Sequence, residues 1–283
     1  MSSNNVYFNT VLKCCYVYYD RFEKVTFHLY VRKRRLLTLL DYLLDICYMA
    51  VGDYKEGYYI GREVPEDDPD ADKPFFGPNV WPDSDLLPGW RQSMEKYDIE
   101  ALEVGRAVAR LIALALELDA NFFDKPEILG NPISLLRLLH YEAQVSDPSK
   151  GIFGAGAHSD FGLITLLATD DVVSLQICKD KDAKPQRWEY VPPMKGAFIV
   201  NLGDMLERWS NGIFKSTLHR VIGNGQERYS IAYFVEPGHD CLVECLPTCQ
   251  SETKPPKYPP VRYGPYLERR YKDTHADLSS YKT

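Results

Sequence analysis

No cysteine pair in this chain has the Cys-x-x-Cys spacing of a structural zinc site, although seven cysteines are present. The odd count also argues against a closed disulfide framework and suits a reducing compartment. Cys241, Cys245 and Cys249 recur every four residues, but Pro247 interrupts them and they read as separate buried or surface thiols. Positive charge is not in excess. A net charge of −7 and a pI near 5.5 exclude a sequence-independent nucleic-acid surface, which needs a basic face. Long hydrophobic runs are missing too: the apolar stretch from Leu36 to Val51 is interrupted by Asp41 and Asp45, and is too short and too charged to span a membrane. It starts too far into the chain for a signal peptide. The acidic cluster Glu66-Asp67-Asp68-Pro69-Asp70 lacks the ligand spacing of a calcium loop and reads as part of an exposed linker from Gly61 to Pro88.

At 283 residues and 45% hydrophobic content, the chain can bury a substantial core. Apolar side chains at helical intervals (Leu102, Val104, Val108, Leu111, Ile112, Leu116) predict a long amphipathic helix from Glu95 to Leu118. From Ile133 onward short β-branched and apolar runs alternate with Gly, Pro, Asn and Asp turns. They predict strands over Leu135 to Tyr141, Leu163 to Thr169, Ser174 to Cys178, Trp188 to Val191, Ala197 to Asn201, Thr217 to Ile222 and Tyr229 to Val235. That pattern suits a mainly β fold with supporting helices, a two-sheet jelly roll. Four segments are expected: an atypical stretch over 1–51, a linker and supporting helix over 52–132, the jelly-roll core over 133–250, and a C-terminal wrap with a helix or flap over 251–283.

Within the core, His158-Ser159-Asp160 is followed after 58 residues by His219, and Arg228-Tyr229-Ser230 begins nine positions later. Two imidazoles and one carboxylate on one face of a metal leave other coordination positions open, as an oxygen-activating Fe(II) site requires. In an extended segment His158 and Asp160 share a face, and a second histidine must arrive from a distant strand, for which Ser216-Thr217-Leu218-His219-Arg220-Val221 is suited. Arg228 and Ser230 repeat the spacing. A guanidinium there takes a carboxylate through two parallel hydrogen bonds and the hydroxyl adds a third, a fork that lysine cannot form. His239, in Pro237-Gly238-His239-Asp240, is the rival for the second imidazole, but its context reads as a solvated turn. Alternation sends His140 and Tyr141 to opposite faces, with Tyr141 toward the pocket.

Together with Gly156-Ala157-His158-Ser159-Asp160-Phe161-Gly162, Leu175-Gln176, Val200-Asn201-Leu202-Gly203-Asp204 and Trp209-Ser210-Asn211-Gly212, these residues resemble the Fe(II)/2-oxoglutarate-dependent oxygenases of the isopenicillin N synthase-like family. The resemblance runs from about Gly52 to the C-terminus. It implies a double-stranded β-helix (jelly roll, cupin-like) with iron on His158, Asp160 and His219, and 2-oxoglutarate held at its far carboxylate by Arg228 and Ser230. It also implies dioxygen as oxidant, succinate and CO2 as products, and an Fe(IV)-oxo species that hydroxylates, or otherwise oxidises, a small organic substrate. Relatives often carry Arg-x-Asn-x-Tyr before the iron motif, the Asn and Tyr approaching 2-oxoglutarate. Here Arg137-Leu138-Leu139-His140-Tyr141 keeps the tyrosine and has Leu139 for the asparagine. Phe161 and Phe234 are candidates to face the substrate, with core packing the alternative for Phe234. Asn201 and Asp204 are read as structural, with ligand orientation or turn capping as their alternative roles, and Trp209 and Asn211 as scaffold near the second histidine.

The first 51 residues do not match the family and stand where its usual N-terminal region is expected, as an alternative transcript or a misjudged first exon would produce. Two further readings therefore stand beside an active oxygenase: an iron oxidase that does not use 2-oxoglutarate, and a truncated, catalytically impaired relative. The expected setting is a cytoplasmic monomer with a small-molecule partner, without nucleic acid or membrane.

Overall fold

A computed structural model describes residues 53–274, together with the backbone of 15–18. The basic run at Arg32 to Arg35 and the apolar stretch from Leu36 to Val51 lie outside the described residues. In chain order come β1 (Cys15–Tyr18), β2 (Glu56–Gly61), α1 (Trp90–Ala115), β3 (Ile133–Tyr141), β4 (Ala155–His158), β5 (Ile164–Thr169), β6 (Leu175–Cys178) and β7 (Trp188–Tyr190). They are followed by β8 (Ala197–Leu202), α2 (Asp204–Trp209), β9 (His219–Val221), β10 (Arg228–Glu236), β11 (Leu242–Val243), β12 (Val261–Arg262) and α3 (Tyr263–Thr274).

The strands make two facing antiparallel sheets. The larger has the order β1-β8-β5-β10-β3-β2 and the smaller the order β4-β9-β6-β7, while β11 and β12 pair apart. Non-consecutive neighbours throughout are the mark of a jelly roll. The register of the large sheet decides which residues meet on its inner face. On β10 and β3, Arg228 lies opposite Tyr141, Ser230 opposite Leu139, and Ala232 opposite Arg137. Across β10, β5 and β8, Phe234 lies opposite Thr165 and Thr165 opposite Asn201. Because side chains alternate along a strand, this set shares one face.

The outer face of the large sheet is sealed by α1, whose buried residues Met94, Tyr97, Ala101, Val104, Val108 and Ile112 recur at three- and four-residue intervals. Gly105 lets the helix approach β10, since a Cβ there would come 2.6 Å from a Val235 methyl. The helix starts five residues earlier than expected, and Leu111, expected on its buried stripe, is 66% exposed. It falls between the rows that meet the sheet.

Two segments differ in kind from the expectation. Residues 52–132 contribute β2, an edge strand of the large sheet, and so supply core as well as linker and helix. The stretch from Gly61 to Pro88 is a strap fastened by local turns and long-range contacts. Asn79 exchanges two hydrogen bonds with Gly61, Lys73 pairs with both Asp70 and Asp240, and Phe76 packs beside His239. His239 is accordingly no solvated turn residue: its side chain is only 14% exposed, against Gly264 at the start of α3. Cys241 and Cys249 are buried and Cys245 half-buried, all free thiols, and burial pushes the Cys241 thiol up to about 11. Among the described residues no helix is long and apolar enough to cross a membrane.

Candidate metal and co-substrate site

His158 and His219 are cross-strand partners. The pairing of β4 with β9 sets them directly opposite each other, and their rings lie 4.2 Å apart, centroid to centroid. Asp160 comes from just beyond the end of β4, so it does not sit on an extended strand with His158 as the i, i+2 spacing suggested. The turn carrying it is tied to the large sheet's end by hydrogen bonds from Asp204 N to Asp160 O (2.8 Å) and Met205 N to Gly162 O (3.0 Å). Gly203 makes this closeness possible, because a Cβ there would collide with the Gly162 backbone.

The three side chains are oriented by what they bind on their far sides. His158 Nδ1 lies 2.8 Å from Gly156 O, and His219 Nδ1 lies 2.9 Å from Thr217 O. A carbonyl only accepts, so each Nδ1 carries the proton and each Nε2 presents its lone pair inward. Asp160 Oδ2 accepts from Thr165 Oγ1 at 2.7 Å and from Asn201 Nδ2. Its Oδ1 is left to face His158 Nε2 at 3.9 Å and His219 Nε2 at 3.7 Å, too far for hydrogen bonds. Donor atoms of the three residues all lie within 4.8 Å of one another, an arrangement that can hold a metal ion. Two neutral imidazoles and a carboxylate oxygen fit iron(II) with open positions.

Electrostatics agree with that fit. Burial works to raise the Asp160 carboxyl, but the two imidazoles and the Thr165 and Asn201 hydrogen bonds outweigh it and hold it below the ordinary range. Desolvation, helped by repulsion from His219, pushes His158 down toward about 4; its side chain is 43% exposed, so solvent screens part of that depression. A neutral ring is the form that binds metal.

A cleft of about 680 Å3, part of it open solvent, lies between the sheets over this cluster. Arg228 and Ser230 line one end, and Tyr141, Leu139, Thr165, Leu167, Asn201 and Phe234 line the wall of the large sheet. Arg228 is 3% exposed, yet the hydrogen bond seen for its guanidinium is a long one, 3.4 Å to Ser230 Oγ, and it has no ion pair among the described residues. It also lies over the Tyr141 ring, 4.8 Å from its centroid. A buried cation with so little compensation has donors free for an anion, which makes Arg228 a candidate receptor for one.

Of the residues singled out from the sequence, the cleft thus gathers His158, Asp160, His219, Arg228, Ser230, Tyr141 and Phe234. Phe161 is not among its lining residues and packs against Tyr271 and Arg270 under α3. His140 does turn outward, where it bridges Glu56 and Glu227. Asn201 touches the Asp160 carboxylate, which fits the ligand-orienting alternative more than the preferred structural one, while Asn211 is structural, bonding Cys249 O and Pro255 O. Besides apolar lining residues, three polar ones were not found from the sequence as parts of the site: Thr165, Lys55 and Arg137. A threonine at an inward position of a largely apolar strand was the available signal for Thr165.

Comparison with known proteins gives one answer. Residues 132–237 match the family model of the 2OG-Fe(II) oxygenase superfamily. The chain is 54% identical over 226 residues to the kihadalactone A synthase of Citrus sinensis, a match covering 80% of this chain and 67% of that protein. It is 51% identical to the azadirone synthase of Melia azedarach, covering 79% and 68%. Among solved structures, a full-length Neurospora crassa protein in complex with alpha-KG and thymine superposes with a TM-score of 0.67 at 33% identity, covering 93% of this chain and 75% of that one. The chain therefore spans about two thirds of the length of the curated relatives it matches.

Proposed function

Because the chain belongs to the 2OG-Fe(II) oxygenase superfamily, we propose that it oxidises a small, largely apolar organic molecule, with His158, Asp160 and His219 holding iron(II) and Arg228 with Ser230 holding 2-oxoglutarate. The observation that carries this reading is the inward convergence of two lone pairs and one free carboxylate oxygen, each fixed from behind by a hydrogen bond.

When bound, the metal and its co-substrate supply oxidative decarboxylation of 2-oxoglutarate by dioxygen, giving succinate and CO2 and oxidising a C–H bond. The chain's own residues do the rest. Gly156 O and Thr217 O keep both rings in the ligating tautomer, and Thr165 with Asn201 fixes which carboxylate oxygen faces the metal. Arg228, buried against Tyr141, takes the far carboxylate in a low-dielectric setting where a charged hydrogen bond is strong. Leu139 and Leu167 keep the middle of the cleft dry. Alpha-KG bound in the N. crassa relative supports the use of 2-oxoglutarate.

The substrate class rests on the two plant relatives. Their products by name, kihadalactone A and azadirone, point to an oxygen-bearing small molecule here, and the cleft lining of Leu139, Leu167, Ile177 and Ile199 to a largely apolar one. Phe234 lines its side of the cleft. We place the chain in the isopenicillin N synthase-like group as a cytoplasmic monomer that binds neither nucleic acid nor membrane; the acidic charge balance and the free thiols support that reading.

Succinate measured by mass spectrometry during turnover of a panel of such molecules tests the function. Succinate formed in equal amount with oxidised product, and only with 2-oxoglutarate present, is expected. Oxidised product without succinate would identify an oxidase that does without 2-oxoglutarate, and neither product from iron-loaded protein an impaired relative.

A further inference from the structure

The cleft has a second cationic end that the cofactors leave unexplained. Arg137 lies on β3 opposite Ala232, four residues along β10 from Arg228 and so about 13 Å away along the strands. Its guanidinium is sandwiched, 4.4 Å from the Tyr59 ring centroid and 5.0 Å from that of Phe234. Such stacking holds the plane of the group still without using its donors. Those donors are poorly served: Nε is buried with no hydrogen-bond partner, and Nη2 has a long 3.4 Å contact to the Tyr271 hydroxyl.

Among the described residues no group nearby neutralises this charge. The other cation at the cleft, Lys55, is already paired with Asp53 at 2.5 Å. Burial pushes the Tyr271 phenol up to about 12, so it remains neutral. Glu236, the next residue on the same face of β10 after Phe234, feels Arg137 but forms no ion pair with it among the described residues; its burial raises the carboxyl to about 7. With iron(II) set against Asp160 and the 2-oxoglutarate dianion against Arg228, Arg137 is the cation left over. A half-buried guanidinium whose Nε is enclosed and unpaired, and which has no ion pair among the described residues, costs free energy unless a ligand completes it.

We propose that Arg137 determines substrate choice, donating hydrogen bonds to a carbonyl or carboxylate oxygen at one end of an otherwise apolar substrate, while Tyr59 and Phe234 hold its plane in register with that oxygen. This rests on the oxygenase reading above and adds to it the polar handle by which the substrate is oriented. Arg228 grips the co-substrate and Arg137, four residues further along the same wall of the cleft, grips the substrate.

The test uses the whole chain loaded anaerobically with Fe(II) and 2-oxoglutarate. Binding of matched probes is followed by equilibrium dialysis: 1-naphthaleneacetate against 1-methylnaphthalene, and menthone against menthane. Wild type should prefer the oxygen-bearing member of at least one pair by about tenfold or more, the size of one hydrogen bond to a charged donor. Preference in the first pair alone assigns a carboxylate handle; preference in the second as well assigns a carbonyl. Arg137→Met should erase the preference, and Arg137→Lys, which keeps the charge and loses the fork, should restore only part of it. Equal binding of both members by wild type, or a preference that survives in Arg137→Met, overturns the proposal. The charge-transfer absorption of the iron and 2-oxoglutarate complex is read on the same samples. Its absence from wild type is failure of the oxygenase reading, and its presence without any probe preference is failure of the Arg137 role alone.

Discussion

Strand β10 buries a charged side chain at each end of one face, and the two are held in opposite ways. Arg228, 3% exposed, is left nearly bare of partners and opens into the cleft. Glu236, 5% exposed, lies beside Gly162 and is covered by Tyr263 of α3; desolvation, with the Asp160 charge adding to it and the Tyr263 hydroxyl opposing it, lifts its carboxyl to about 7. An arginine cannot shed its charge at any ordinary pH, whereas a glutamate can take up a proton. Burial therefore leaves the first a bare charge facing the cleft and the second a carboxyl that keeps its proton up to about pH 7. Between them, Ser230, Ala232 and Phe234 pass from polar to apolar along the wall of the cleft.

Removing the metal cluster between the two ends has the largest expected effect. In His158→Ala or Asp160→Ala, iron affinity measured by competition with a chelator should fall by more than the roughly 10–100-fold typical of residues that only orient a ligand. Next is the Arg228 end. Arg228→Ala should weaken 2-oxoglutarate binding by about 2–5 kcal/mol and leave iron affinity nearly unchanged, and Arg228→Lys should recover little of it. Calorimetric titration of the co-substrate separates these outcomes.

The Glu236 end is distinguished by pH. Its folded carboxyl holds a proton up to about 7 that the unfolded chain gives up near the ordinary 4.5, so between those values the native state binds more protons than the unfolded one. Stability then falls as pH rises through that window, by about 3 kcal/mol in all for a shift of this size. Glu236→Gln should flatten that part of the profile and be the more stable form at pH 8 by chemical denaturation. A wild-type profile rising from pH 5 to 7 by this route would break the contrast between the two ends. The smallest effect is expected from Asn201→Ala, in which Asp160 loses one of two hydrogen bonds and iron affinity drops by about tenfold or somewhat more.

Much of this was legible beforehand, and the limits have physical causes. Alternation along β3 and β10 was enough to send Tyr141, Arg228 and Ser230 to one face, because period-two patterning is a local property. The jelly roll followed from the recurrence of short strands between turns. What could not be read locally was which distant group approaches from the facing sheet. Asn201 and Thr165 are neighbours across β8 and β5, but only the turn after β4 brings the Asp160 carboxylate between them. His239 looked solvated because Pro237 and Gly238 precede it, and α3, which covers it, begins 24 residues later at Tyr263. Phe161 sits next to a site residue yet turns beneath the same helix, so adjacency in sequence was a poor guide to the cleft wall. Arg137 was visible as part of a motif, but its enclosed, unpaired Nε is a property of the folded surroundings alone.

Anaerobic addition of Fe(II) and then 2-oxoglutarate to the purified, folded chain, followed by visible absorption, decides whether His158, Asp160, His219 and Arg228 form one site. The expected result is a charge-transfer band that saturates with 2-oxoglutarate, disappears in His158→Ala, and in Arg228→Ala returns only at much higher co-substrate concentration. A folded wild-type chain that gives no band, or a band indifferent to both substitutions, contradicts the assignment.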